Sequence, residues 1–181
     1  MEPSIHFAIP FAVASLLGLS LRWSFLAGLI GIIPDFDVLF LVHRSISHSL
    51  LPAILLLFIL LLLKKISFLN PRFQIPVLIS SLGLGSHVIL DLIDGYTPFL
   101  WPLSENAYYL IFELRLLIES FPTLYFNVNL FERPYGNDVF TTLDAPLFTA
   151  EGLILALLLI TLGLVISSRG LNVYSIISRK K

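Results

Sequence analysis

Hydrophobic and polar positions divide the chain into five apolar segments separated by polar breaks. The first runs from about Ile5 to Leu21, the second from Trp23 to Val42, and the third from Leu50 to Leu63. The fourth runs from about Ile75 to Ile93 and the last from about Gly152 to Ser167. Crossing a bilayer untilted takes roughly 20 residues of helix. Several segments are shorter, so their flanking polar residues must sit at or below the interface. The pattern predicts an all-α fold, a polytopic membrane helix bundle of about five spans. Between the fourth and fifth segments lies a long connection, Gly95 to Glu151, rich in Tyr and Phe. Within it, Glu105 to Phe121 reads as an amphipathic helix lying in the interface or capping the bundle. The chain is thus read as one membrane-embedded domain, 1–181. Residues 1–105 form the helical bundle, 106–150 an interfacial or capping segment, and 151–169 the last transmembrane helix.

Composition agrees with a membrane location. The chain is 57% hydrophobic and only 13% charged, where soluble domains are about a quarter charged. The net charge of -1 and the lack of a basic stripe exclude a nucleic-acid partner. No cysteine is present, which removes disulfides, thiolate metal sites and cysteine nucleophiles. The first apolar run has Glu2 and no Lys or Arg before it. It is therefore expected to remain as the first helix and not to act as a secretory signal. With five spans, Arg22, Lys64, Lys65, Arg72, Arg169 and the tail Arg179-Lys180-Lys181 fall on one side, and Arg44, Arg115 and Arg133 on the other. The positive-inside rule then predicts an extracytoplasmic N-terminus and integration into the cytoplasmic membrane.

Against this background the polar groups stand out. All four histidines, His6, His43, His48 and His87, lie near the ends of apolar segments. Asp35, Asp37, Asp91 and Asp94 accompany them, and the topology brings the whole set to the extracytoplasmic face. An ionised carboxylate inside hydrocarbon costs at least about 2.5 kcal/mol, and several together also repel. A divalent cation relieves both penalties, and histidine with carboxylate suits zinc first, with manganese or iron as alternatives. His87 and Asp91 are four apart, so on a helix both face one side and can reach one ion. Pro34 breaks the second segment, freeing Asp35 or Asp37 to point inward. His43 and His48 bracket a connector, with Ser47 or Ser49 as the expected cap of the next helix. Gly83, Gly85 and Ser86 are expected to let helices pack closely. Taken singly, each element has a plainer explanation. His-x3-Asp also describes a buried hydrogen-bonded pair, and Pro-Asp-Phe-Asp also describes a helix-ending turn. Their convergence on one face is what favours a metal centre.

The same residues carry a resemblance. His6, Gly31-Ile-Ile-Pro-Asp-Phe-Asp37, His43-Arg-Ser-Ile-Ser-His-Ser49, Gly85-Ser-His-Val-Ile-Leu-Asp91, Asp94-Gly-Tyr-Thr-Pro and Leu100-Trp-Pro together resemble the YdjM-like family of membrane-bound metal-dependent hydrolases. The likeness covers roughly the first 105 residues. It implies metal ligands at His6, Asp35 or Asp37, His43, His48, His87 and Asp91. The Ser-His-x3-Asp element is also similar to one in zinc-dependent phospholipases C and related nucleases. The expected function is therefore a membrane-bound metal-dependent hydrolase, acting on a lipid or lipid-linked phosphoester through metal-activated water. Asp35 or Asp94 would be the general base, and Arg44 would hold a phosphoryl oxygen pair. Two other classes fit the polar set: a non-enzymatic ion transporter or sensor, and a bundle knitted by polar contacts.

Overall fold

The computed structural model describes residues 2–40, 42, 44–65, 71–118, 121–136 and 148–169. His43 and the basic tail lie outside the described residues. The described residues form five α-helices: α1 (Pro3–Leu16), α2 (Leu21–Ile32), α3 (Leu51–Lys65), α4 (Pro71–Asp94) and α5 (Ala150–Arg169). Among the described residues, three helical stretches are long and apolar enough to cross a membrane, Leu21–Phe40, Ile75–Asp94 and Ala150–Arg169, where the sequence pattern predicts about five. The shorter apolar helices are α1 and the Leu51–Leu62 part of α3. The described fold is mostly helical, and its long apolar helices support association with the lipid bilayer.

Helix α1 explains why a short segment can still be apolar throughout. Its 14 residues rise about 21 Å, and it runs inside the bundle, packed against α2 and α5 and touching α4. Ala8, Phe11 and Ala14 are buried, and so are the polar His6 and Ser15. Helix α2 packs against α4, and α4 against α3. By contrast, α3 leaves Ile54, Leu55, Phe58 and Leu61 exposed, as a lipid-facing helix would.

The second apolar segment does not stay α-helical to its end. Helix α2 stops at Ile32, and a 3-10 helix continues from Ile33 to Phe40, with Pro34 in its first turn. Proline lacks the N–H that an α-helical bond would need. Three residues per turn then place Asp35 and Asp37 two-thirds of a turn apart, so they reach different sides of whatever they face. A second, short 3-10 turn (Ile46–His48) leads into α3.

The sequence expectation of an all-α fold with an amphipathic helix at Glu105–Phe121 is not met. That region is strand β1 (Asn106–Ile118), paired antiparallel with β2 (Pro122–Pro134) from Asn106↔Pro134 to Ile118↔Pro122. Glu113 and Arg115 are two apart and form an ion pair of 2.9 Å along one strand face. On a helix, residues two apart point away from each other; on a strand they share a face. The hairpin is rooted at the end of α4, where Thr97 and Tyr108 exchange backbone bonds of 2.8 and 2.9 Å.

Close helix approach depends on Gly83. A Cβ there would lie 2.9 Å from the Ala27 carbonyl oxygen and 3.1 Å from the Gly31 nitrogen, both backbone. At Gly85 a Cβ would meet only Ala53 Cβ at 3.9 Å, an ordinary contact, so of the two glycines only Gly83 is required by the packing. Gly83→Ala should therefore lower the unfolding free energy by about 1–3 kcal/mol, whereas Gly85→Ala should stay within about 0.5 kcal/mol of the parent. Unfolding of both variants in detergent measures the contrast.

Candidate functional site

Helix α1 brings in His6, the 3-10 helix Asp35 and Asp37, the connector Arg44 and His48, and α4 His87, Asp91 and Asp94. These helix ends meet because successive helices alternate in direction. The N-termini of α1 and α3 and the C-termini of the second segment and α4 share one end. Helix α5 also begins there, since Glu2 accepts a very short hydrogen bond from Thr149 Oγ1. That bond holds the Glu2 carboxyl below the usual range for glutamate.

Asp91 is the centre. It has no solvent exposure, and neither do His6, His48 and His87. Its Oδ1 lies 3.2 Å from His6 Nε2. Its Oδ2 lies 3.2 Å from His48 Nε2 and 3.3 Å from His87 Nε2. The predicted i, i+4 pairing of His87 with Asp91 is therefore present. Asp35 approaches from the 3-10 helix, its Oδ1 3.7 Å from His87 Nε2 and 3.8 Å from His48 Nε2. The imidazoles of His6 and His87 stack with centroids 3.9 Å apart.

The arrangement passes a chemical test for a cation. His87 Nδ1 lies 2.7 Å from the Gly31 carbonyl oxygen. A carbonyl only accepts, so Nδ1 carries the proton, and in neutral imidazole Nε2 is then a lone pair. That lone pair faces the Asp91 and Asp35 oxygens, and no hydrogen bond of acceptable geometry reaches it. His6 Nε2 is likewise within reach of Asp91 but without an aligned hydrogen bond. Lone pairs converging in a buried space repel unless a positive charge sits among them. Ligand atoms of His6, Asp35, His87 and Asp91 all lie within 4.8 Å of one another, a spacing that a metal ion can bridge. With metal–ligand bonds of about 2.1 Å, the edges of a tetrahedron are about 3.4 Å, close to the contacts of His87 Nε2 with Asp91 Oδ2 and Asp35 Oδ1, 3.3 and 3.7 Å.

His48 is held from behind. Its Nδ1 lies 3.2 Å from Asp37 Oδ2 and 3.1 Å from Ser47 Oγ. Asp37 Oδ2 also accepts from the Ser45 backbone N–H at 3.0 Å and from Ser47 Oγ at 3.3 Å. Burial by itself would push the His48 imidazole down, but the Asp35 and Asp37 carboxylates and the Asp91 charge outweigh it and raise the pKa to about 9. Asp37 thus stands on the far side of His48 from Asp91. Ser47, which the sequence suggests as a helix cap, instead orients His48, and α3 begins later, at Leu51.

Arg44 closes the exposed side. Its backbone adopts a left-handed φ of 56°, costly for a residue with a Cβ and a mark of sites where geometry is enforced. The guanidinium donates to Asp94 Oδ2 at 2.9 Å and lies 3.9 Å from Asp91 Oδ1. Gly95 makes room for it, because a Cβ there would collide with the Arg44 guanidinium. Asp94 is 43% exposed and stands outside the imidazole cluster, so it meets the site through Arg44. Tyr135, at the end of the hairpin, is a site neighbour that the sequence did not single out. Its phenol is pushed up by burial and by the Asp37 charge. No local motif marks it, since it lies 98 positions after Asp37 (135 − 37) and reaches it only through the hairpin.

Of the residues that carry the resemblance, His6, Asp35, His48, His87 and Asp91 meet at one place, Asp37 stands behind His48, and His43 lies outside the described residues. No curated protein matches the chain, and no solved structure does. A family model described as YdjM inner membrane protein matches residues 1–171, which extends the likeness past the first 105 residues through the hairpin and α5. With the buried histidine–aspartate cluster at one end of an apolar helix bundle, this match places the chain in the YdjM inner membrane protein family.

Proposed function

We propose that the chain is a membrane-bound metal-dependent hydrolase that acts on a lipid or lipid-linked phosphoester. The observation that carries this reading is His87 Nδ1 donating to the Gly31 carbonyl, which leaves Nε2 as a lone pair against two carboxylates. His6, Asp35, His87 and Asp91 would hold the ion, with His48 able to join them only on giving up its proton, zinc being the cation that best suits imidazole with carboxylate. When bound, the ion supplies Lewis acidity and lowers the pKa of water.

The chain's own residues do the rest. Gly31 fixes the His87 tautomer, and Asp37 with Ser47 fixes His48, as outer partners of metal ligands do. Asp35 Oδ2 makes no hydrogen bond among the described residues and is the atom placed to take a proton from an attacking water. Arg44, partly exposed and aimed by Asp94, binds phosphoryl oxygens. Asp94 serves by orienting Arg44. The access side is the rim of Asp35, Arg44 and Asp94, because His6, His48, His87 and Asp91 are sealed. The lysine and arginine asymmetry favours a rim facing the extracytoplasmic side.

The first measurement is elemental mass spectrometry on detergent-purified protein. The wild type should retain about one or two equivalents of zinc, manganese or iron, and His87→Ala and Asp91→Ala should lose it. A folded wild type without metal after reconstitution overturns the reading. Asp37→Asn should keep the site but weaken metal affinity about 10–100-fold, read by competition with a chelator. Arg44→Ala should leave metal content unchanged and lower kcat/KM on a phosphoester lipid by roughly 10- to 150-fold, the worth of one charge-assisted hydrogen bond of about 1.5–3 kcal/mol. Metal retained with no metal-dependent hydrolysis of lipid phosphoesters would point to a transporter or sensor. Orientation is tested by labelling Ile46→Cys, the single thiol of a cysteine-free chain. A reagent that cannot cross the membrane should reach it from outside the cell.

A further inference from the structure

We infer that the β1–β2 hairpin is a bilayer-docking surface, lying along the lipid interface with one apolar face against the acyl chains. In an antiparallel pair, residues directly opposite each other point to the same side. Every pair on one face from Leu110↔Leu130 out to Ile118↔Pro122 is apolar, including Phe112↔Val128, Leu114↔Phe126 and Leu116↔Leu124. The opposite face carries Glu113↔Asn127, Arg115↔Tyr125 and Ile111↔Asn129.

Exposure runs against what a water-facing ribbon would adopt. Glu113, Asn127 and Asn129 are half-buried, although Arg115 beside them is exposed, while on the apolar face from Phe112 outward exposure runs from 45% at Val128 to 74% at Leu124. Nothing among the described residues covers that face. An apolar surface of this extent is not left to water in a soluble setting.

Three observations select lipid as its occupant. The hairpin is joined by the Thr97–Tyr108 bridge to the end of α4, a helix long and apolar enough to cross a membrane. The apolar face therefore continues the lipid-exposed surface of the bundle at the level where the bilayer ends. Second, the ribbon cannot cross the membrane itself. Its 13-residue strands are long enough to do so, at about 44 Å against a hydrocarbon core of about 30 Å, so what forbids crossing is their chemistry. The Glu113–Arg115 pair sits in mid-strand, where a crossing ribbon would carry it into the core. Third, a two-stranded sheet has two open edges, whose N–H and C=O groups find partners among headgroups and water but not among acyl chains. Lying flat satisfies the edges, the apolar face and the charged pair together. The inference stands on the hairpin and its junction with α4, and is independent of whether the His/Asp site hydrolyses anything.

The cysteine-free chain allows a direct test. Leu114→Cys and Phe126→Cys report the apolar face, and Thr123→Cys and Asn127→Cys the polar face. Each is labelled with an environment-sensitive fluorophore in the full-length protein. The labelled proteins are reconstituted in phosphatidylethanolamine/phosphatidylglycerol vesicles with brominated acyl chains. Thermal unfolding of each variant checks that the bundle is intact. Labels at 114 and 126 should be quenched several-fold more by lipid bromine than those at 123 and 127, and the order should reverse with aqueous iodide. Equal iodide quenching at all four positions would overturn the inference and leave the ribbon in water. Labels at 114 and 126 shielded from both quenchers, with self-quenching relieved by unlabelled protein, would also overturn it. A second copy of the chain would then be the occupant.

Discussion

The Asp91 carboxylate, sealed from solvent among three imidazoles, sets the conditions that the rest of the bundle meets. A lone ionised carboxylate at that depth would neutralise or unfold its surroundings. Keeping it requires partners from several elements at once, because one helix face offers only the i, i+4 neighbour, His87. His6 must come from α1, His48 from the connector and Asp35 from the 3-10 helix. The helices must then end at one level and approach closely. Gly31 shows how tightly these needs are coupled. A Cβ there would collide with the His6 backbone carbonyl, while its own carbonyl holds His87 Nδ1. One residue without a side chain thus sets both the α1–α2 approach and the tautomer of a ligand two helices away.

The polar cluster also explains the uneven helix lengths. Helix α1 is short and internal, and it spends one buried turn on His6. The second segment gives up α-helical bonds after Ile32 so that Asp35 and Asp37 can flank His48. Arg44 accepts a left-handed backbone to lean back over Asp91 and Asp94. Each departure from regular structure lies at the site end. Local strain of this kind persists where surrounding contacts over-determine it, and here the contacts are mutual: the carboxylates hold the cations, and the cations let the carboxylates stay buried.

How far the sequence reveals this depends on whether the signal is local. Spacing on α4 predicts the His87–Asp91 pair because four residues make one helical turn. Pro34 marks the change in helix type for the same reason. The gathering of His6 with Asp91 was legible only through topology, since apolar segments alternating in direction bring distant polar ends together. What stayed hidden was relational. Nothing in Asp35-x-Asp37 says which carboxylate joins the cluster and which stands behind His48; the 3-10 winding decides it. Ser47 looked like a cap because capping serines precede helices, but a hydroxyl beside a histidine has a stronger claim at a carboxylate. The hairpin reads as a helix in the sequence because its strands are apolar enough to fit either pattern. Glu113 and Arg115, two apart and flanked by Leu114 and Leu116, held the period-two signal.

Placing the hairpin at the site end gives the bundle a function for its otherwise separate parts. An ionisable cluster at the bilayer midplane would be cut off from both water and headgroups. Here it lies at the end of α4, a helix long and apolar enough to cross a membrane. The hairpin leaves from that same end, and its residue Tyr135 returns to the Asp37 side of the site. A ribbon lying flat on lipid therefore fixes the height of the Arg44–Asp94 rim relative to the headgroups. The spanning helices alone leave that height free to vary, because lengths differ among them and a bundle can tilt to absorb the mismatch. Anchoring by an amphipathic surface removes that freedom, so a hairpin docked on lipid would hold the rim at one height relative to the headgroups.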